Sequence, residues 1–156
     1  MTQNFFDKAV YEKLKQRFNS IGPDAKPQWG IMNPAQMFRH LQLENDLALG
    51  RYKGKDHSNF FTSWSFKMVI RGKMPLPTLV SKLRMVPAIP ELNVVKSGMP
   101  VADFQTEKNN LFTSFTELTQ AEHFSNLHPA IGKMTPEEWG LFYYWHTDYH
   151  FRQFGV

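Results

Sequence analysis

The sequence predicts an all-α fold in which a single domain, residues 1–156, forms a four-helix bundle with an irregular, proline-rich excursion in its middle. Three observations predict this fold. Apolar residues recur at helical spacing in four or five segments, residues typical of helix starts precede the clearest of them, and few segments alternate as strands do. At 156 residues the chain is long enough to bury a core without covalent staples.

The first helix is predicted from Phe5 to Phe18. Its apolar face is formed by residues at helical spacing: Phe6, Val10, Leu14 and Phe18. A loop follows over residues 20–29, which contain one glycine and two prolines.

The second helix has a clear predicted start and end. Asn33 can cap it, Pro34 suits its first position, and Gln36 stands where a capping box needs its returning side chain. Gly50 is a natural terminator. His40 falls among the apolar positions of this helix, so we expect its side chain to face the core.

The middle of the chain is less regular. A third helix is predicted after Ser58-Asn59, ending near Gly72, and a short helical piece at Leu79–Met85. Residues 84–103 contain three prolines and form the irregular excursion, and a loop of that length often lines or covers a site. The fourth helix is predicted over Ala102–His123. Its inward residues would be Phe104, Leu111, Phe115 and Leu118.

The last helix begins at a capping box, Thr135 to Glu138, with proline at the first helical position. Gly155 closes the chain. Along neighbouring rows of this helix stand Trp139, Phe142, Tyr143, His146 and His150.

Composition excludes several kinds of site. The chain has no cysteine, which removes disulfides, cysteine-ligated zinc and a protein thiolate nucleophile. The N-terminus lacks the apolar region of a signal peptide, and no run approaches the ~18 apolar residues of a membrane span, so we expect a soluble cytoplasmic protein with no membrane partner. The aromatic content is compatible with a homodimer, although no feature specifies one.

The net charge of +4 is unevenly placed. Residues 51–84 hold eight basic residues against one acid, so this segment carries +7 and the remainder −3. Such a segment could form a nucleic-acid surface or the rim of a site for anionic ligands. A solvated helix face is the more common explanation, and because no nucleic-acid motif accompanies the charge, nucleic acid is the least favoured partner.

Histidines provide the strongest chemical signal. His146 and His150 are four residues apart, which places both imidazoles on one helix face. With His40 from another helix they would form a three-histidine site for a divalent metal, zinc or nickel first, with iron and manganese as the other candidates. The alternative is that His40 bonds a backbone carbonyl and the C-terminal pair is solvated. Thr147 stands where a zincin has its glutamate, so a metalloprotease is not expected.

Three further residues are candidates for roles at this site. Glu44 lies one turn from His40, where it could act as a base, orient an imidazole, or simply lie at the surface. Tyr143 could donate to a bound ligand or pack in the core. His128, in the loop before the last helix, could lie at the mouth of the site and contact substrate, or lock its turn. The remaining histidines, His57 and His123, are expected to be solvated.

Two stretches together resemble a known group of proteins. The helix opening NPAQMFRHL and the closing block HPAIGKMTPEEWGLFYYWHTDYHFRQFG resemble the DinB-like (DinB/YfiT-like) superfamily, and most closely an uncharacterised branch of it. Residues 51–101 match only in length and helicity. The resemblance implies a four-helix bundle with a divalent metal held by one histidine of the second helix and two of the last. These correspond to His40, His146 and His150.

The resemblance also implies a range of activities. The superfamily includes metal-dependent enzymes that use low-molecular-weight thiols, such as bacillithiol transferases and mycothiol-dependent isomerases. We therefore expect a metal-dependent transferase or hydrolase that activates a thiol or water and acts on a small molecule. A thiol cosubstrate would fit the absence of cysteine. The alternative is a non-catalytic, stress-associated metal-binding module whose coordination sphere is closed by a fourth protein ligand.

Overall fold

The computed structural model describes residues 2–75, 92–125 and 127–156, and in these ranges the chain is mostly helical, as predicted. The helices are α1 (Lys8–Ser20), α2 (Pro34–Ala48), α3 (Phe60–Ile70), α4 (Phe104–Gln120) and α5 (Pro136–Gln153). A hairpin that the sequence did not predict joins β1 (Leu127–His128) to β2 (Gly132–Lys133), with Leu127 paired antiparallel to Lys133.

The predicted capping boxes of α2 and α5 are confirmed. The Asn33 side chain accepts from the Gln36 backbone at 2.9 Å while Gln36 returns a bond to the Asn33 N–H. Thr135 and Glu138 make the same reciprocal pair at the start of α5. These bonds satisfy N–H groups that a helix leaves unpaired at its first turn, and so they fix where both histidine-bearing helices begin.

Helix α1 begins at Lys8, three residues later than predicted. The residues before it are held by contacts with α5: the Phe5 N–H donates to the Gly140 carbonyl at 3.0 Å, and the Asn4 side-chain amide donates to the Glu137 carbonyl at 3.3 Å. Within the segment, the Phe6 N–H donates to the Asn4 side chain. Phe5 is completely buried. Its side chain therefore packs in the core although it precedes the helix. Helical spacing cannot predict such a position.

Helices α3 and α4 lie close to their predicted positions. Asn59 caps α3 in a capping box with Thr62. Asp103 caps α4, which therefore begins at Phe104 instead of Ala102, and the helix ends at Gln120, three residues before the predicted His123. The predicted piece at Leu79–Met85 lies outside the described residues. Of the proline-rich excursion, residues 92–103 are described and consist of turns and extended segments.

The packing of the helices brings the histidine-bearing faces together. Helix α2 packs along α4, and α5 contacts α1, α2 and α3. Large rings fill the space between them, among them Phe5, Phe38, Trp139, Tyr143 and Phe151. A smaller apolar cluster holds Leu92 and Val94 against Leu43 and Leu47 of α2. This second cluster places residues 92–96 beside the helix that carries His40.

Three of the six described basic residues in segment 51–84 are engaged in ion pairs. Lys67 of α3 and Arg71, which follows that helix, both contact the buried carboxylate of Glu138, at 3.1 and 2.7 Å, and Arg51 contacts Glu117 at 2.7 Å. Three of the basic side chains thus hold helices together instead of forming a free cationic surface. No helix in the described ranges is long and apolar enough to cross a membrane.

Candidate metal centre

The structure brings His40, His146 and His150 together, although α2 and α5 are about a hundred residues apart in sequence. The Nε2 atom of His146 lies 3.1 Å from Nε2 of His40 and 3.1 Å from Nε2 of His150. All three side chains are buried, with 5–8% of their surface exposed. For comparison, nitrogens that share one zinc ion at ~2.0–2.1 Å in tetrahedral geometry are about 3.3 Å apart. The candidate ligand atoms of all three histidines lie within 4.8 Å of one another, so the cluster could hold a single metal ion.

The outer nitrogens of two of these histidines are held by hydrogen bonds. His40 Nδ1 lies 2.9 Å from the Leu92 carbonyl, which can only accept. His150 Nδ1 lies 3.0 Å from Gln153 Oε1, and the orientation of that amide is fixed because its Nε2 donates to the Trp29 carbonyl at 2.7 Å. From these partners we assign the proton to Nδ1 in both rings. Their Nε2 lone pairs then point at the centre.

This assignment leaves the cluster with more acceptors than donors. His146 carries at most one proton on Nε2, so it can satisfy only one of the two facing lone pairs. Its Nδ1 is buried with no hydrogen-bond partner among the described residues. Buried polar atoms are normally paired, because an unpaired one costs about 1–3 kcal/mol. A cation at the point where the three Nε2 atoms converge would satisfy all three lone pairs, so the residues present fit a divalent metal.

Burial keeps the C-terminal pair uncharged. Desolvation, together with the neighbouring histidines, lowers the pKa of His146 well below its ordinary value. Desolvation and the nearby His40 lower the pKa of His150 to about 3, against a smaller opposing effect of the bond to Gln153. A neutral imidazole is the form that binds a metal. Both rings are therefore in the ligand form at neutral pH.

A cavity of about 480 Å³ opens onto the three histidines. This volume lies in the range of small-molecule sites, and the lining is mainly apolar and aromatic. The described lining residues outside the histidine cluster include Ile31, Met32, Phe66, Leu92, Val94, Phe142, Trp145 and Tyr149. Lys96 is the one cationic lysine or arginine side chain among the described lining residues.

Glu44 and His128 also line the cavity, and both are buried. Glu44 is therefore not the surface carboxylate that the sequence left open. His128 Nδ1 accepts from the Ala130 and Ile131 N–H groups, at 3.1 and 3.2 Å, so we assign its proton to Nε2. That atom lies 3.3 Å from Glu44 Oε2, but the two do not align as a hydrogen bond, and neither finds another partner among the described residues. The Glu44 carboxylate and the His128 N–H thus both lie at the cavity, and each can form a further hydrogen bond to a bound molecule.

The position of His128 combines the two roles considered from sequence. Its Nδ1 locks the turn between β1 and β2, while its other nitrogen lies on the cavity side, so contact with substrate stays a prediction. The remaining histidines, His57 and His123, are exposed, as expected.

The sequence left two roles open for Tyr143, donation to a bound ligand and packing in the core. Its ring is buried against Trp139 and Phe5, its hydroxyl donates to the Glu44 carbonyl at 2.9 Å, and it is not among the described residues that line the cavity. The same burial raises the Tyr143 pKa well above its ordinary value. These contacts favour the packing role, in which Tyr143 ties α5 to the segment of α2 that carries Glu44.

Sequence reasoning missed Gln153 and the backbone carbonyl of Leu92, which hold the outer nitrogens of the histidines. One signal for Gln153 was available: it follows His150 by three residues, so it shares the same helix face. No feature of the neighbouring sequence indicates this role for Leu92, because the role depends on how the loop that contains Leu92 packs on α2.

Comparison with known proteins places the chain in a family. The profile of the family described as "Protein of unknown function (DUF1569)" matches residues 11–155. The chain belongs to the DUF1569 family. The matched range contains every residue of the candidate centre. No curated protein and no solved structure matches the chain significantly. The DUF1569 match is compatible with a helical metal-binding fold and assigns no activity.

Proposed function

We propose that this DUF1569 protein binds a divalent metal through His40, His146 and His150 and uses it to catalyse a transferase or hydrolase reaction on a small molecule. The proposal includes the finer fold assignment, a four-helix bundle of the DinB-like superfamily in one domain, which rests on the resemblance of the two histidine-bearing blocks. The observation that carries the function is the convergence of three Nε2 lone pairs at a cavity of about 480 Å³.

The open cavity favours catalysis over a structural metal. Structural zinc sites are closed by four protein ligands, whereas catalytic sites keep a position for water or substrate. In the described residues, the metal-binding group has three members, and no fourth side chain joins it. The non-catalytic, stress-associated module remains the second candidate; it would show a closed coordination sphere.

Zinc or nickel suits an all-imidazole site best, with iron and manganese as further candidates. A divalent ion held there would supply a Lewis acid that lowers the pKa of a thiol or water bound at its open position. Because the chain has no cysteine, any thiolate must come from a low-molecular-weight cosubstrate.

The chain's own residues supply the rest of the chemistry. Glu44 Oε2 would take the proton of the incoming S–H or O–H group while the sulfur or oxygen forms a bond to the electrophilic atom of the substrate and the leaving group departs with its electron pair. His128 would hold the Glu44 carboxylate from the other side. The apolar lining excludes water and favours a mainly apolar substrate.

The first test is metal content. Protein purified without a histidine tag would be measured by mass spectrometry as wild type, His146→Ala and His123→Ala, the last a matched change of an exposed histidine. We expect near-stoichiometric metal in wild type and in His123→Ala, and loss in His146→Ala. A wild-type protein that is metal-free and does not bind added zinc, nickel, manganese or iron would contradict the proposal.

The second test is activity. The metal-loaded protein would be screened with low-molecular-weight thiols and apolar electrophiles, and with ester and amide substrates for hydrolysis. Turnover that disappears in His146→Ala and persists in His123→Ala would support an enzyme. Stoichiometric metal with no turnover and a spectroscopically closed, four-ligand site would favour the non-catalytic module.

A further inference from the structure

Two loops that line the cavity are attached to the outer nitrogens of two proposed metal ligands. We call residues 29–32 the first wall and residues 92–96 the second wall. Gly30, Ile31 and Met32 line the cavity from the first wall, and all five residues of the second wall line it. Both walls are loops, and neither adjoins the histidines in sequence.

The first wall is held through Gln153. His150 Nδ1 donates to Gln153 Oε1 at 3.0 Å, and Gln153 Nε2 donates to the Trp29 carbonyl at 2.7 Å. The Gln153 carbonyl also accepts from the Gln28 N–H at 2.7 Å. The wall lies directly against this amide, since a Cβ on Gly30 would collide with Gln153 Nε2. The side chain of Gln153 is 4% exposed, so water competes little for these bonds.

The second wall is held without an intermediary side chain. His40 Nδ1 donates directly to the Leu92 carbonyl at 2.9 Å. Leu92 and Val94 are further packed against Leu43 and Leu47 of α2. The second wall is thus anchored in this smaller cluster. In the first wall Met32 packs against the main core, whereas Ile31 is 76% exposed.

We propose that Gln153 is a positioning residue that couples metal occupancy to the order of the first wall; this inference rests on the proposed metal binding. A cation on Nε2 draws electron density from the imidazole and makes its Nδ1–H a stronger donor. The stronger bond polarises the Gln153 amide, which strengthens its own donation to Trp29. The metal-loaded protein therefore has a better-ordered wall at Ile31 and Met32, where substrate would bind.

The test is Gln153→Met, which keeps the size of the side chain and removes both of its hydrogen bonds. The backbone heteronuclear ¹⁵N–¹H NOE would be measured at both walls with and without saturating zinc, and the zinc Kd would be determined for each protein. Asn45→Leu is the matched control, because it removes a buried amide that bonds Ser114 and does not line the cavity.

In wild type and Asn45→Leu we expect zinc to raise the NOE at both walls. In Gln153→Met we expect the response of the first wall to be lost and that of the second wall to remain, with the zinc Kd weakened about tenfold to a hundredfold. An unchanged response of the first wall in Gln153→Met, or no response there in zinc-loaded wild type, would overturn the inference alone. Absence of zinc binding in wild type would overturn the proposed function and the inference with it.

Gln153→Glu separates the two bonds and serves if Gln153→Met does not fold. The carboxylate still accepts from His150 Nδ1–H but cannot donate to the Trp29 carbonyl. We expect zinc binding to remain within tenfold of wild type while the first wall loses its response. A first wall that still orders on zinc binding in this variant would show that Gln153 does not carry the coupling.

Discussion

The positions of the protons on three histidines determine what the centre can bind. His40 and His150 have acceptors at Nδ1, which directs their free lone pairs inward. His128 has donors at Nδ1 and therefore presents an N–H to the cavity. The same residue type thus provides metal-ligand nitrogens on one side of the cavity and a hydrogen-bond donor on the other.

These assignments can be measured directly. In the metal-free protein at neutral pH, long-range ¹H–¹⁵N correlation spectra should show the Nδ1–H tautomer for His40 and His150 and the Nε2–H tautomer for His128. The reason is that a carbonyl or amide oxygen can only accept, and a backbone N–H can only donate. An Nε2–H tautomer at either His40 or His150 would remove the surplus of lone pairs and with it the main argument for a metal.

Glu44 is the residue whose proposed role depends on charge and not on metal binding. Replacing it with Gln keeps its size and removes its capacity to take a proton. We expect metal content equal to wild type and turnover lowered about 10²- to 10⁴-fold, the usual contribution of a general base. The measurement is kcat for whichever reaction the substrate screen identifies, alongside metal content.

The matched control is Glu107→Gln, a second buried carboxylate, which accepts from the Ala102 N–H at 2.8 Å and does not line the cavity. It should lose stability without a comparable loss of turnover. Equal losses in both variants would assign Glu44 a structural role. A loss of metal in Glu44→Gln would make it a ligand or the support of one.

At the scale of helices, the sequence predicted those features that are determined by residues close together in the chain, such as helix starts. The starts of α2 and α5 were identified from capping boxes, whose bonds join residues three apart. The inward position of His40 followed from its place among apolar residues of α2. Since these helices carry His40, His146 and His150, the clustering of these three histidines could be predicted. Their role as metal ligands stays a prediction.

Sequence failed where the deciding contact joins distant parts of the chain. The start of α1 was misplaced because Phe5 bonds Gly140, far along the chain. The proline-rich excursion was expected to line a site, and its residues 92–96 do line the cavity. The first wall was not predicted, because its position depends on the distant Gln153 amide. For Tyr143 the sequence left ligand contact and core packing both open, and the bond of its hydroxyl to a carbonyl of α2 favours packing. Each failure concerns tertiary packing, for which helical spacing carries no information.

The contact between the N-terminal segment and α5 gives a prediction for Gly140. A glycine within a helix normally costs about 0.5–1 kcal/mol relative to alanine. Here a Cβ would lie 2.6 Å from Cγ and 2.7 Å from Nδ2 of Asn4, whose side chain bonds the Phe6 N–H and the Glu137 carbonyl. We expect Gly140→Ala to lower the free energy of unfolding by about 1 kcal/mol, because Asn4 must move and lose those bonds.

The double variant isolates the cause. In an Asn4→Ala background the obstruction is gone, so Gly140→Ala should instead raise the free energy of unfolding by about 0.5–1 kcal/mol. Urea unfolding of the four proteins completes the cycle. Destabilisation of the same size in both backgrounds would place the conflict elsewhere on α5.

For the whole molecule, the buried histidines make stability depend on pH. In the unfolded chain His146 and His150 have pKa values near 6.5, whereas in the metal-free folded protein the pKa of His150 falls to about 3 and that of His146 lies well below its ordinary value, chiefly through desolvation. Between those limits the unfolded chain binds protons that the folded protein does not. The free energy of unfolding must therefore fall as pH falls below 6.5.

The size of this effect can be estimated and isolated. His150 should reduce the unfolding free energy of the metal-free protein by about 2 kcal/mol between pH 7 and pH 5, and the lowered pKa of His146 should add to that reduction. The double variant His146→Gln/His150→Gln removes both titrations, so its pH profile should be flatter than that of wild type by more than the about 2 kcal/mol that His150 alone contributes over that interval. Chelator-treated protein and urea unfolding at several pH values provide the measurement.

The same unfolding measurements can be repeated with zinc bound. A metal that binds only the folded state adds RT ln(1 + [Zn]/Kd), about 2.7 kcal/mol at a hundredfold excess over Kd. At pH 7 we expect this gain in wild type and its absence in the double variant. Parallel pH profiles for the two metal-free proteins would mean that the histidines titrate normally, so that the centre is solvated instead of buried. A zinc gain that survives the loss of both histidines would place the metal outside this centre.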